Sequence, residues 1–364
     1  MLARLAKPVV ALALAAALIA IVLFALGASP LAVFAALCEG AFGNWLAAAD
    51  TLVKTTPLVF TGLAVSIAFR GALWNIGAEG QLLVGALAAG ALGSALDGWP
   101  RPLAVGLVLM AGAAGGALWS GICGWLRERR AVSEIISTIM LNFVAVQLLS
   151  YAVHGPLIEP SRAYPESAPI ARAAELWTFL PPSRLNAGML LALALAFASW
   201  LWLFRSRSGF ELRAMGRNRR VAAFFGIPVA RLGIAAMALS GALAGLGGAV
   251  QVSAITHRLY ESFSPGWGYE AIAVALVARL NPLGVVLTAL LFGALDNGAQ
   301  AMQRSQGISP VLVQVIQGMV ILILLAFDTR TWADLSGALR RVGGDKSPAL
   351  ARGAGVTRRE DGDA

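Results

Sequence analysis

Residues 75–81 read Asn75-Ile76-Gly77-Ala78-Glu79-Gly80-Gln81, a polar cluster at the junction of two apolar runs, 57–70 and 79–97. The first run is short and ends at Arg70-Gly71. A helix can break at membrane depth only where the freed backbone groups face protein or a watery cavity. The cluster therefore predicts an interrupted span beside a pore. In the second half, Pro265-Gly266-Trp267-Gly268-Tyr269-Glu270 opens another apolar run, which Arg279-Leu280-Asn281-Pro282 breaks after about ten residues. Gly77-Ala78-Glu79 and Gly268-Tyr269-Glu270 occupy comparable places in the two halves, as in transporters built from an inverted repeat.

The rest of the chain suits that setting. Its 364 residues are 58% hydrophobic and 13% charged, with a mean hydropathy of +0.75, which lies outside the range of soluble domains. Apolar runs recur at about 8–27, 57–70, 79–97, 103–126, 132–154, 187–204, 233–254, 268–280, 283–302 and 308–327. The predicted fold is an all-α integral membrane protein of about ten transmembrane helices, with one transmembrane domain over 1–329. An even number of spans puts both termini on one side. Lys and Arg concentrate in 127–130, in 205–231 and in the tail 330–364, so that side is the cytoplasm and the setting a plasma or inner membrane. Connections 28–56, 155–186 and 255–267 fall outside, and the tail reads as disordered. Met1 to Lys7 with the run that follows imitates a signal peptide but is long enough to span, which makes it a retained first helix.

Several functions are excluded on the same grounds. The net charge of +9 is spread between apolar runs and forms no single face or arm, so no nucleic-acid partner is expected. Cys38, Cys123, His154 and His257 have no neighbours at ligand spacing, so no metal site and no disulfide framework is expected. A membrane-embedded enzyme would need a converging nucleophile, base or metal set. None is visible.

Glu79, Glu134 and Asn142 are polar groups within or at the edge of spans, where a charge costs about 2.5–3.5 kcal/mol and normally faces a cavity or a partner. Asn75, Gln81 and Asn142 offer amide donors and acceptors to a polar solute. Trp267 and Tyr269 offer rings for stacking, and Glu270 beside them is the second-half counterpart of Glu79. The alternative for each of these residues is a helix-to-helix hydrogen bond that fixes the bundle. Glu134 in particular reads either as path-lining or as a cytoplasmic-edge group that caps a helix or pairs with Arg130. Glycines at 112, 115, 116 and 121, and again at 241, 245, 247 and 248, predict close helix packing in lipid.

The longest basic loop runs from Ser208 to Ile227. Arg219 to Phe225 mixes basic and apolar positions, and Gly216 and Gly226 are placed to end a short helix on each side. Such an element docks on a soluble partner or anchors to anionic headgroups.

Thr56-Pro57-Leu58, Thr61-Gly62-Leu63-Ala64, Phe69-Arg70-Gly71 and the 75–81 cluster occur in order with Glu134-Ile135-Ile136-Ser137-Thr138-Ile139-Met140-Leu141-Asn142. Arg213-Ala214-Met215-Gly216-Arg217-Asn218, Ala222-Ala223, Gly226-Ile227 and Leu239-Ser240-Gly241-Ala242-Leu243-Ala244-Gly245 follow. Over about residues 50–330 this order resembles the permease subunits of ATP-binding-cassette importers for simple sugars, nucleosides and branched-chain amino acids, most closely the nucleoside branch. The resemblance implies alternating access driven by a separate ATPase, with substrate delivered by an extracytoplasmic binding protein. It also implies a second permease subunit, often a related but different chain. It assigns a coupling helix to the loop, here Arg213, Gly216, Arg217, Asn218, Ala222, Ala223, Phe224 and Gly226. No G-x-x-x-x-G-K-[ST] phosphate loop occurs, so ATP is used through the partner subunit and this chain binds no cofactor directly. The loop departs from the family in being short and rich in arginine, with Arg217, Arg219 and Arg220 close together. The rival readings are another sugar or amino acid as cargo, or an ion-coupled secondary transporter.

Overall fold

A computed structural model describes residues 29–306 apart from Leu180, together with the single positions 20, 24, 311, 315 and 318. Residues 20–317 pack as one unit; the other, 1–19 with 318–364, lies outside the described residues except for Gly318. The predicted first and last spans and the tail therefore fall outside the description.

The described chain is helical: α1 (Pro30–Phe42), α2 (Trp45–Arg70), α3 (Ala78–Gly93), α4 (Arg101–Arg130), α5 (Glu134–His154), α6 (Ala187–Arg205), α7 (Arg207–Arg217), α8 (Arg219–Phe224), α9 (Val229–Gln251), α10 (Trp267–Val277) and α11 (Pro282–Gln306). A π turn, Val252–Thr256, prolongs α9. Among the described residues six helices are long and apolar enough to cross a membrane, and α1, α3 and α10 are shorter apolar helices.

Two expectations for the first half are corrected. The connection 28–56 is not a loop, because it holds α1 and the first turns of α2. The run 57–70 is not a short span either, since α2 starts at Trp45 and carries Pro57 in its interior. Polar residues interrupt the apolar pattern over 50–56, yet the hydroxyls of Thr55 and Thr56 donate to the carbonyls of Thr51 and Leu52 one turn back, at 2.7 and 2.9 Å. Lys54 is neutralised by Asp296 of α11, 2.9 Å away. The hydroxyls are hydrogen-bonded and the ammonium is ion-paired within the bundle, so the helix continues through them.

Helices α3, α4 and α9 form the tightest part of the bundle. A Cβ added to Gly116 would overlap the Gly241 carbonyl oxygen, and one added to Gly241 would overlap that of Gly116. Backbones approach this closely only where neither residue has a side chain. The predicted glycine packing is thus a seam between α4 and α9. It reaches α3 where Gly85 meets Gly245 and Gly248 meets the Leu82 carbonyl.

On the side opposite the basic loops, 155–186 is stitched to the segment after α9. Ser167, Ile170 and Leu176 donate their N–H groups to the carbonyls of Leu259, His257 and Ser253 at 2.8–2.9 Å. Arg258 pairs with Glu166 at 2.7 Å.

Candidate translocation site and coupling surface

After α2 the chain turns back without helix through 71–77, and α3 starts at Ala78. Asn75, wholly buried, organises this break. Its Oδ1 accepts from the Gly77 N–H at 2.9 Å and from Gln81 Nε2 at 2.7 Å. Its Nδ2 donates to Gln81 Oε1 at 2.9 Å and to Ser240 Oγ at 2.8 Å. Asn142 of α5 holds the other side, accepting from the Gly80 N–H at 2.8 Å and donating to the Ile76 carbonyl at 3.0 Å. Backbone groups freed by the break are met by side chains, with α5 and α9 supporting them, which is the condition for irregular chain inside a bilayer.

The second half answers with α10. An α-helix rises about 1.5 Å per residue, so its 11 residues extend about 16 Å and cannot cross the hydrocarbon alone. Glu79, 4% exposed, accepts the Gly268 N–H on Oε2 at 2.7 Å, which places a carboxylate on the first turn of α10. At the other end, Arg70 Nε and Nη2 donate to the carbonyls of Leu280 and Arg279 at 2.9 and 3.0 Å. Both ends of α10 are therefore held by charged groups of the first half. The first turns of α3 and α10 touch, because a Cβ on Gly268 would overlap the Glu79 backbone nitrogen.

Asn75, Glu79, Gln81 and Asn142 are thus brought together, buried and bonded to protein. Trp267 packs partly buried against a cluster that includes Leu259 and Phe263. Tyr269 differs in being 47% exposed. Glu270 is half-buried beside it on α10. Glu134 pairs with Arg127 at 3.2 Å, whereas Arg130 lies over the Trp125 ring, so the expected Glu134–Arg130 pairing is corrected.

On the basic side, α7 and α8 form a bent pair. Asn218 joins them, its Oδ1 accepting the N–H groups of Arg220 and Val221 at 3.0 and 3.1 Å. Gly226, at φ +81, follows α8 as expected of a terminating glycine. Gly216 is the last residue but one of α7, so the helix ends where expected; the glycine is also required there because a Cβ would overlap the Arg70 carbonyl oxygen. Leu212, Met215 and Ala222 are buried, while Phe224 and Phe225 are 87% and 76% exposed. A groove of about 690 Å³ lies between the two helices, with Phe210, Arg217, Asn218, Ala222 and Phe225 among its walls.

Residues 47–325 match the family described as branched-chain amino acid transport system / permease component. The chain belongs to this family. It is 36% identical over 89% of its length to the guanosine ABC transporter permease protein NupP of Bacillus subtilis, covering 93% of that relative. The glucose ABC transporter permease protein TsgB13 of Haloferax volcanii is 32% identical, with 95% of this chain and 93% of the relative aligned. The nucleoside ABC transporter permease protein NupB of Lactococcus lactis is 30% identical, with 87% and 89% aligned. No solved structure matches the chain. The protein is therefore a permease subunit of an ATP-binding-cassette importer, with hydrolysis in separate subunits.

Within this permease, sequence reasoning missed Arg70, Lys54, Asp296 and Asn297 as bundle-fixing groups. Asn297 Nδ2 donates to the carbonyls of Gly40 and Ala47 at 3.0 and 2.9 Å. Asp296-Asn297 inside the apolar run 283–302 was the available signal, since a polar pair in a span calls for named partners.

Proposed function

We propose that this permease carries nucleosides into the cytoplasm by alternating access. The observation that supports this cargo most directly is the 36% identity, over nearly the whole chain, to a guanosine permease. In this reading the path runs past the contact of α3 and α10. Tyr269 and Glu270 face it in the present conformation, and Asn75, Glu79, Gln81, Asn142 and Trp267 surround the point where it opens. The amide network at that point is bonded to protein in this conformation and offers its donors and acceptors to a base or ribose once the helices part, while an exposed tyrosine suits ring stacking.

The groove between α7 and α8, with Phe224 and Phe225 projecting beside it, is the seat of the ATPase subunit. The ends of α2, α4, α6 and α10 that lie with this loop carry Arg70, Arg127–Arg130, Arg205 and Arg279, and this side is cytoplasmic, with both termini on it. A second permease chain and an extracytoplasmic binding protein complete the importer. Lactococcus lactis has a further nucleoside permease relative of this chain, NupC, beside NupB, which supports a pair of unlike permeases.

A hexose is the second reading, favoured by the 32% identity to a glucose permease. ATP-driven uptake of labelled guanosine, uridine and glucose into proteoliposomes holding the complete importer decides between them. Nucleoside uptake that unlabelled glucose does not compete supports the first. Glucose uptake alone overturns it.

A further inference from the structure

Arg219 is the first residue of α8, and its guanidinium is paired with Glu128 of α4. The Glu128 side chain is 4% exposed, and its second oxygen, Oε1, is buried with no hydrogen-bond partner among the described residues. That oxygen packs on the backbone of Gly233 in α9, where a Cβ would approach it to 2.9 Å. A buried carboxylate with one partner depends on that partner, because removing it leaves an uncompensated charge. The pair therefore fastens α8 to the point where α4 and α9 begin their glycine seam.

We propose that Glu128 is a positioning residue that transmits movement of the coupling helix to the transport path. It rests on the reading of α7 and α8 as the ATPase seat. From Glu128 the connection is continuous: α4 and α9 interlock at Gly116 and Gly241, the seam meets α3 at Leu82 and Gly85, and Glu79 of α3 holds Gly268 of α10. A shift of α8 relative to the bundle pulls on α4 and α9 together, since neither backbone can slide past the other without a clash. The other route from the loop reaches α10 from its far end, through Gly216 against Arg70. The two routes act on opposite ends of one short helix.

The test uses the whole importer in proteoliposomes, comparing wild type with Glu128→Gln, Arg219→Gln and the charge exchange of both positions. The readouts are ATPase capture, ATP hydrolysis and substrate moved per ATP. Expected is a fall of about tenfold in transport per ATP for each single change, within the range of ordinary coupling energies, with capture unchanged in Glu128→Gln, whose side chain is buried in the bundle. The exchange restores transport to within about threefold of wild type. Wild-type transport per ATP in both single variants overturns the inference. Loss of capture in Glu128→Gln does so too, since the pair would then only shape the docking surface. Failure of the docking reading looks different: an Arg217→Ala, Phe224→Ala permease would still capture and stimulate the ATPase.

Discussion

Glu79 and Gly268 lie 189 positions apart in sequence, and the carboxylate of one accepts the backbone N–H of the other at 2.7 Å. The two interrupted segments are joined there, first turn to first turn. Replacing Glu79 by Ala leaves the Gly268 N–H buried without a partner, at a cost of about 1–3 kcal/mol. The expected outcome is a lower thermal unfolding midpoint in detergent with transport lost, and Glu79→Gln should keep part of both. An unchanged midpoint for Glu79→Ala would show that the bond contributes nothing to the fold.

Gly268 admits no side chain, because the Glu79 backbone occupies the Cβ position. Gly268→Ala should force α3 and α10 apart, reducing transport at least about tenfold while the protein still reaches the membrane. Transport and fractionation on the same cells check this. Full activity would mean the two turns separate freely.

The single substitutions Asn75→Cys, Gln81→Cys, Tyr269→Cys and Glu270→Cys separate bundle-fixing groups from path-lining ones. In the conformation described, the thiol at position 269 should react readily with a small polar reagent, while those at 75 and 81 should stay protected until the importer cycles with ATP. Protection at 75 and 81 throughout the cycle would assign them to packing alone.

Phe224 is 87% exposed and makes an edge contact with Phe225, ring centres 5.7 Å apart. In the proposed docking reading this exposed aromatic pair is the anchor for the ATPase subunit. Replacing Arg217 and Phe224 by Ala together should abolish substrate-stimulated ATP hydrolysis with insertion unchanged. Stimulation at wild-type level would remove the role from α8.

Arg70 holds the turn that follows α10 with two hydrogen bonds, to the carbonyls of Arg279 and Leu280. Arg70→Ala should cost about 1–3 kcal/mol, and Arg70→Lys should recover only part, since a single ammonium does not reproduce the fork. Unfolding midpoints of the three proteins give the comparison.

The break after Arg70, marked by the 75–81 cluster, the short run after Trp267 and the helix ending before Gly226 were legible in the sequence, because polar clusters and turn residues in apolar surroundings are local signals. Their partners were not. Thr55 and Thr56 read as part of a connection because a hydroxyl's bond to the carbonyl one turn back leaves no trace in composition. Gly216 marks the end of α7 as read, but its second constraint, the Arg70 carbonyl, lies far away in sequence and could not be seen there. The same limit hid Arg127 as the partner of Glu134 and Asp296 as that of Lys54.

The meeting of α3 and α10 also gathers charge. Each helix brings its amino end to the contact, equivalent to roughly half a positive charge, and the first turn of each carries an acidic side chain, Glu79 in one and Glu270 in the other. Two like-signed helix ends that would repel if brought together bare therefore meet with acid groups beside them, which lets the two halves of the chain touch end to end.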